Sequence, residues 1–212
     1  MATYNLEEQD KIDGFKTWWD KFGAAVTIIL TTLVVTISGT KIWEYYQNTQ
    51  AQQAADLYVL LQQVQSTNEP TRINDAAHLL TEGFSSSGYA PRAALIAAAA
   101  NIAANDTKRA KENLQWILDN ANEKEMHDLA RLRMAGILLD EGNYNDALRQ
   151  LNTDHNGTYA GLYADLKGDV LVAAERFEEA RQAYQTAIDR LNKRNTYFNI
   201  VQMKLDALGD ED

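Results

Sequence analysis

Nineteen consecutive uncharged residues, 22–40, constrain this chain more than any other feature of its sequence. As an α-helix the run is about 28 Å long, close to the hydrocarbon thickness of a bilayer. Lys21 and Lys41 stand immediately outside it, placed to snorkel to the headgroups. Trp18 and Trp19 before the run, and Trp43, Tyr45 and Tyr46 after it, resemble the aromatic belts of a membrane helix. A core helix of a soluble protein normally shows one polar stripe. Here the six Ser and Thr fall all round the helix and can bond back to their own carbonyls. A cleaved signal peptide has a shorter apolar stretch, about 7–15 residues, before an Ala-x-Ala-like site. No clear site of that kind follows the run. Residues 22–43 therefore read as a transmembrane signal anchor, with lipid around 22–40.

Orientation follows the Lys and Arg bias. Lys11, Lys16 and Lys21 precede the span, and only Lys41 follows it before Arg72. The bias puts residues 1–21, an acidic tail with Glu7, Glu8, Asp10, Asp13 and Asp20, in the cytoplasm. The larger part then lies across the membrane, which in a bacterium is the periplasm. Residues 44–212 hold 25 acidic and 16 basic side chains, a balance that keeps them off anionic headgroups. With a pI near 4.8, a nucleic-acid surface is also excluded, because phosphate contacts need clustered Lys and Arg. The chain has no cysteine, so disulfides, thiolate metal sites and a cysteine nucleophile are excluded as well.

Both prolines, Pro70 and Pro91, lie beside turn-rich stretches, and between such breaks apolar residues recur at helical spacing. The expected fold is all-α. Residues 44–66 form a Gln- and Ala-rich stalk or first helix with Ala54, Leu57, Leu61 and Val64 on one stripe. A second helix follows from Thr71 to Leu80 or a little beyond, carrying Ile73, Ala77 and Leu80, and the two can pair as a hairpin.

Residues 67–212 form the soluble domain, and the strongest internal repeat is 162–192. Gly168, Ala180, Tyr184 and Ala187 there resemble the tetratricopeptide pattern, in which small residues let antiparallel helices approach and an aromatic fills the gap. Ala135, Ala147 and Leu151 occupy the matching places in a middle copy, with Gly142-Asn143 as its turn. Ala98, Ala110 and Leu114 do so in a first copy, with Asn105-Asp106 as its turn. Ala110, Ala147 and Ala180 are 37 and 33 residues apart, against a repeat of about 34 for this class. Approximate repeats are 91–127, 128–160 and 161–194, with a cap over 195–208 in which Ile200, Met203 and Leu208 are apolar. The fold class is thus one transmembrane helix, then a tetratricopeptide-like helical-hairpin array with a C-terminal capping helix.

Catalytic signatures are missing. His78, His127 and His155 have no metal-ligand spacing, and no nucleophile elbow or Gly-rich phosphate loop occurs. Acidic pairs such as Glu123 with Glu125, Asp140 with Glu141, and Glu178 with Glu179 read as solvated charge at helix ends and turns. Asn105-Asp106-Thr107 and Asn156-Gly157-Thr158 match the glycosylation sequon but read as turns. No enzyme activity, cofactor, metal or small-molecule substrate is expected.

The order of parts resembles the YfgM family, ancillary subunits of the bacterial Sec translocon. The resemblance rests on a short acidic tail running through Ile12-Asp13-Gly14-Phe15-Lys16-Thr17-Trp18-Trp19 into one span. Trp43-x-x-Tyr46 then opens the stalk, and the array ends in Val201-Gln202-Met203-Lys204-Leu205-Asp206-Ala207-Leu208. It implies a non-enzymatic inner-membrane adaptor with a cytoplasmic N-terminus and a periplasmic repeat domain. The implied partners are the SecYEG channel, a membrane-anchored periplasmic chaperone related to prolyl isomerases, and translocating clients. An alternative role, envelope stress signalling through the acidic tail, belongs to a different functional class. In arrays of this kind the first helix of each pair lines the groove, which by spacing exposes Arg92, Leu95, Leu132, Asp140, Leu162, Asp165 and Asp169. That mixed apolar and acidic lining is expected to favour amphipathic basic partners.

Overall fold

A computed structural model describes residues 4–67, 69–191 and 196–209, with side chains from residue 10 onward. Several features of the sequence reading fall outside the described residues: the start of the tail, the side chains of Glu7 and Glu8, Asn68 of the first turn, Asn192, Asn195, and Asp210-Glu211-Asp212. The helices are α1 (Tyr4–Gln65), α2 (Pro70–Gly83), α3 (Tyr89–Ala103), α4 (Thr107–Asn120), α5 (Lys124–Asp140), α6 (Tyr144–Leu151), α7 (Ala160–Ala173), α8 (Phe177–Arg190) and α9 (Thr196–Asp206). A short 3-10 turn, Gly157–Tyr159, precedes α7. Among the described residues the fold is all-α, and it divides into two units, 1–52 and 53–212.

In the first unit, α1 contains a stretch long and apolar enough to cross a membrane. Its threonine hydroxyls are satisfied within the helix. Thr31, Thr32 and Thr36 each donate to the carbonyl four residues back, at 2.7–2.8 Å. Thr27 and Thr40 donate to Gly23 and Ile37 at 2.9 Å. An apolar solvent offers these groups no partner, so internal bonding makes them tolerable there. Phe15, Trp18, Trp19 and Phe22 form a chain of rings with centroids 6.0–6.3 Å apart. Trp43 and Tyr46 pair at 6.4 Å on the other flank, where Lys41 bonds Glu44 at 2.9 Å.

In the second unit each helix from α2 onward packs on the next, and α3, α5 and α7 also meet in turn. They form the inner layer of the array. Three pairs, α3 with α4, α5 with α6 and α7 with α8, turn by the same device. The backbone enters the left-handed region at Asn105 (φ 59°), Gly142 (φ 74°) and Glu175 (φ 59°). The next N–H then bonds five residues back: Asp106 to Asn101, Asn143 to Leu138 and Arg176 to Leu171, at 2.8–2.9 Å. This is a Schellman ending, which satisfies carbonyls the helix leaves open. The three turns recur at the spacing of the repeat alanines, so the backbone carries the same period as the side chains. Only Gly142 is free of steric cost there. We expect Glu175→Gly to raise stability by about 0.5–1 kcal/mol and Gly142→Ala to lower it comparably, as read by urea denaturation in detergent.

The signature side chains are core. Ala98, Ala110, Leu114, Ala135, Ala147, Leu151, Gly168, Ala180, Tyr184 and Ala187 are all buried. Burial of Leu114 and Leu151, and of Ile117 beside them, contributes about 1.5–3 kcal/mol each. A second cluster joins Ala54 and Leu61 of α1 to Ile73, Ala77 and Leu80 of α2 and to Ala93 and Ala97 of α3. The alanine richness of α3 now has a reason: Ala93 and Ala97 serve this cluster, while Ala94 and Ala98 serve the main core. A half-buried amide exchange joins α2 to α3, with Asn74 and Asn101 donating to each other at 2.7 and 2.9 Å. The cap makes its contacts differently from its composition: Val201 is fully buried, whereas Ile200 and Met203 are exposed. Tyr197, Phe198, Leu205 and Leu208 complete its contact with the core.

Candidate functional site

The inner helices carry the sequence-derived groove residues, and the structure gives them unequal surroundings. Leu95 and Leu132 are half-buried against the main core, Leu162 is exposed, and Asp140 is exposed at the end of α5. Arg92 donates twice to Glu123, at 2.9 Å each. These bonds hold the Glu123 carboxyl below its ordinary range.

Asp165 and Asp169 are already occupied. Lys204 of α9 donates to Asp165 at 2.9 and 3.1 Å and to Asp169 at 2.8 Å. Tyr197 also donates to Asp165, and Tyr184 donates to Asp169 at 2.7 Å. Burial pulls the Lys204 ammonium down, but the Asp169 and Asp165 carboxylates more than offset it and hold it above the usual lysine value. Burial and the same carboxylates push both phenols above the ordinary tyrosine range. A lysine of the chain itself, Lys204 of α9, therefore takes the place at these aspartates where a basic partner was expected. With both aspartates engaged, the inner surface is less acidic than its sequence suggests.

At the other end of the inner layer, Gln65 of α1, α3 and α5 enclose a cleft of 370 Å³. Leu95, Ile96, Ile102 and Leu129 supply apolar walls, and Gln65 and Arg133 are its polar members. Such a volume falls in the lower part of the range for ligand pockets, about 300–1,000 Å³. Leu129 and Arg133 escape the sequence reading, because repeat spacing carries Leu95 to Leu132. Their separation of one helical turn, with an arginine beside a leucine, is the only signal the sequence offers.

The remaining polar clusters hold the fold. Asp128, fully buried, accepts from the Asn156 amide at 2.9 Å, and its carbonyl accepts from Tyr163 at 2.9 Å. His155 stacks on Tyr163 at 4.1 Å, His127 bonds the Ala121 carbonyl at 2.8 Å, and His78 lies 3.3 Å from Glu82. No metal-ligand cluster occurs among the described residues. Some of the acidic residues read as solvated are instead tied to neighbouring basic side chains: Glu141 to Lys111 at 2.7 Å and Glu179 to Arg176 at 2.6 Å. Both sequon asparagines stand in turns: Asn105 has its left-handed backbone, and Asn156 accepts from the Thr158 amide at 3.0 Å.

Comparison with known proteins covers the chain almost end to end. A tetratricopeptide repeat-like domain model matches residues 16–210. An ancillary SecYEG translocon subunit of Neisseria gonorrhoeae is 30% identical over 98% of this chain and 100% of its own length. Proteins with the same description from Haemophilus influenzae and Escherichia coli are 27% and 23% identical, over 85% and 95% of this chain and 91% and 96% of their own lengths. No solved structure matches.

Proposed function

Because this chain belongs to the tetratricopeptide repeat-like family of ancillary SecYEG translocon subunits, a non-catalytic family, we propose that it is a membrane-anchored adaptor at the Sec translocon. The observation that carries this reading is the match to such a subunit along its whole length, span and array together. The apolar stretch of α1 anchors the chain in the bacterial inner membrane, with Trp18, Trp19, Lys21, Lys41, Trp43 and Tyr46 at the two interfaces. The three lysines before the span favour a cytoplasmic N-terminus and a periplasmic array. The inner helices then offer a groove to a periplasmic partner. By family resemblance that partner is a membrane-anchored chaperone related to prolyl isomerases, receiving newly translocated clients. Leu95 and its neighbours in the cleft form an accessible apolar part of the groove, while α9 covers Asp165 and Asp169.

The absence of cysteine makes the topology directly testable. In cells with a permeabilised outer membrane, Ser85→Cys should react with an impermeant maleimide, and Thr17→Cys only after the inner membrane is opened. The reverse pattern overturns the orientation. A photocrosslinker at Val35 should capture the translocation channel, and a crosslinker at Leu95 a periplasmic chaperone. Capture of cytoplasmic proteins alone would refute the adaptor reading.

A further inference from the structure

The charged side chain that lines the cleft, Arg133, is positive, in a domain whose net charge is negative. Arg133 is exposed, lies one turn beyond Leu129 on α5, and lines the apolar cleft. Among the described residues it has no hydrogen bond or ion pair. The other arginines and lysines of α3, α4 and α5 each have a carboxylate within 4.0 Å: Arg92 has Glu123, Lys108 has Glu112, Arg109 has Asp106, Lys111 has Glu141, Lys124 has Asp154 and Arg131 has Asp128. Leu129, half-buried, packs against neither core cluster, so its outer surface faces the cleft without a partner. The aspartates at the α7 end are held by Lys204 and offer nothing to a basic ligand.

We propose that this cleft takes a peptide segment of a partner protein that presents an apolar anchor beside an acidic side chain, with Arg133 selecting the acid. The inference rests on the groove reading above and specifies its ligand. Apolar side chains fill the space between Leu95, Ile102 and Leu129, and the carboxylate meets the guanidinium at the rim, where it can bind in bidentate fashion. Elsewhere the domain, with 25 acidic against 16 basic residues, repels such a segment. Arg133, the charged side chain lining the cleft, therefore fixes the register in which it docks there.

The test uses the full chain in nanodiscs and two fluorescent octapeptides read by anisotropy. Each peptide holds two central leucines, flanked by glutamates in one and by lysines in the other. The glutamate peptide should bind about tenfold more tightly than the lysine peptide, with the preference falling as salt rises. Arg133→Glu should reverse that order without changing the melting temperature, and Leu129→Asp should weaken both peptides. Equal binding, or a lysine preference in the unaltered chain, overturns the charge assignment. If Leu129→Asp still abolishes binding in that case, the groove reading survives it. Failure of both peptides to bind overturns the cleft as a peptide site.

Discussion

Asp165→Lys should release α9 from the array and destabilise the domain by about 3–5 kcal/mol, the range for stranding one member of a buried ion pair. The Asp165 side chain is 3% exposed and accepts from both Lys204 and Tyr197. Reversal places a second ammonium against Lys204 and leaves the Tyr197 hydroxyl without its acceptor. Against a total stability of about 5–15 kcal/mol, that loss is a large share. Asp169→Lys should cost less, because its side chain is 30% exposed and water can relieve part of the repulsion. Urea denaturation gives the energy, and limited trypsin digestion reports on α9, since its release opens Lys204 to cleavage. The swap of Asp165→Lys with Lys204→Asp should recover part of the loss. An unchanged midpoint and an unchanged digestion pattern in the single variant would show that the cap is held by apolar contacts alone.

Gly168→Ala should cost about 1–3 kcal/mol, the usual penalty for forcing an added methyl into a packed core. A Cβ at that position would come within 2.8 Å of Tyr184 Cζ and closer still to the ring edge. The ring is buried and its hydroxyl is bonded to Asp169, so it cannot swing aside without losing that bond. The first two pairs show the alternative solution at the same separation: Ala98 with Leu114, and Ala135 with Leu151, all buried. Tyr184→Leu combined with Gly168→Ala should therefore recover much of the loss, with a coupling energy of about 0.5–3 kcal/mol. Additive effects of the two changes would mean that the glycine is there for another reason.

The two predictions differ in how far the sequence already pointed to them. Gly168 and Tyr184 stand sixteen residues apart within one hairpin, so the period of small and large side chains exposed their relation. The apolar stretch of α1 was legible for a similar reason, since an uncharged run of bilayer length needs no tertiary partner to be recognised. The Asp165 and Lys204 pair joins residues of different helices, 39 positions apart. An acidic residue on an inner helix looks the same in sequence whether it faces water or a lysine. Nor did sequence mark Glu175 as left-handed, because the hydrogen bonds of the turn impose that conformation on whichever residue stands there. In the candidate groove, Leu95 was legible from its repeat position. The prominence of Leu129 and Arg133 was not, since it depends on which side chains the neighbouring helices leave uncovered.

The threonines of α1 carry one more consequence. A hydroxyl has a single proton, and in Thr27, Thr31, Thr32, Thr36 and Thr40 that proton is given to the helix itself. Each oxygen keeps its two lone pairs, so these threonines can accept hydrogen bonds from a lateral neighbour but do not offer these protons in return. A polar contact made by these five threonines within a bilayer would therefore be one-directional: the neighbouring helix would have to bring the donor, and one with only acceptors would be left to shape alone.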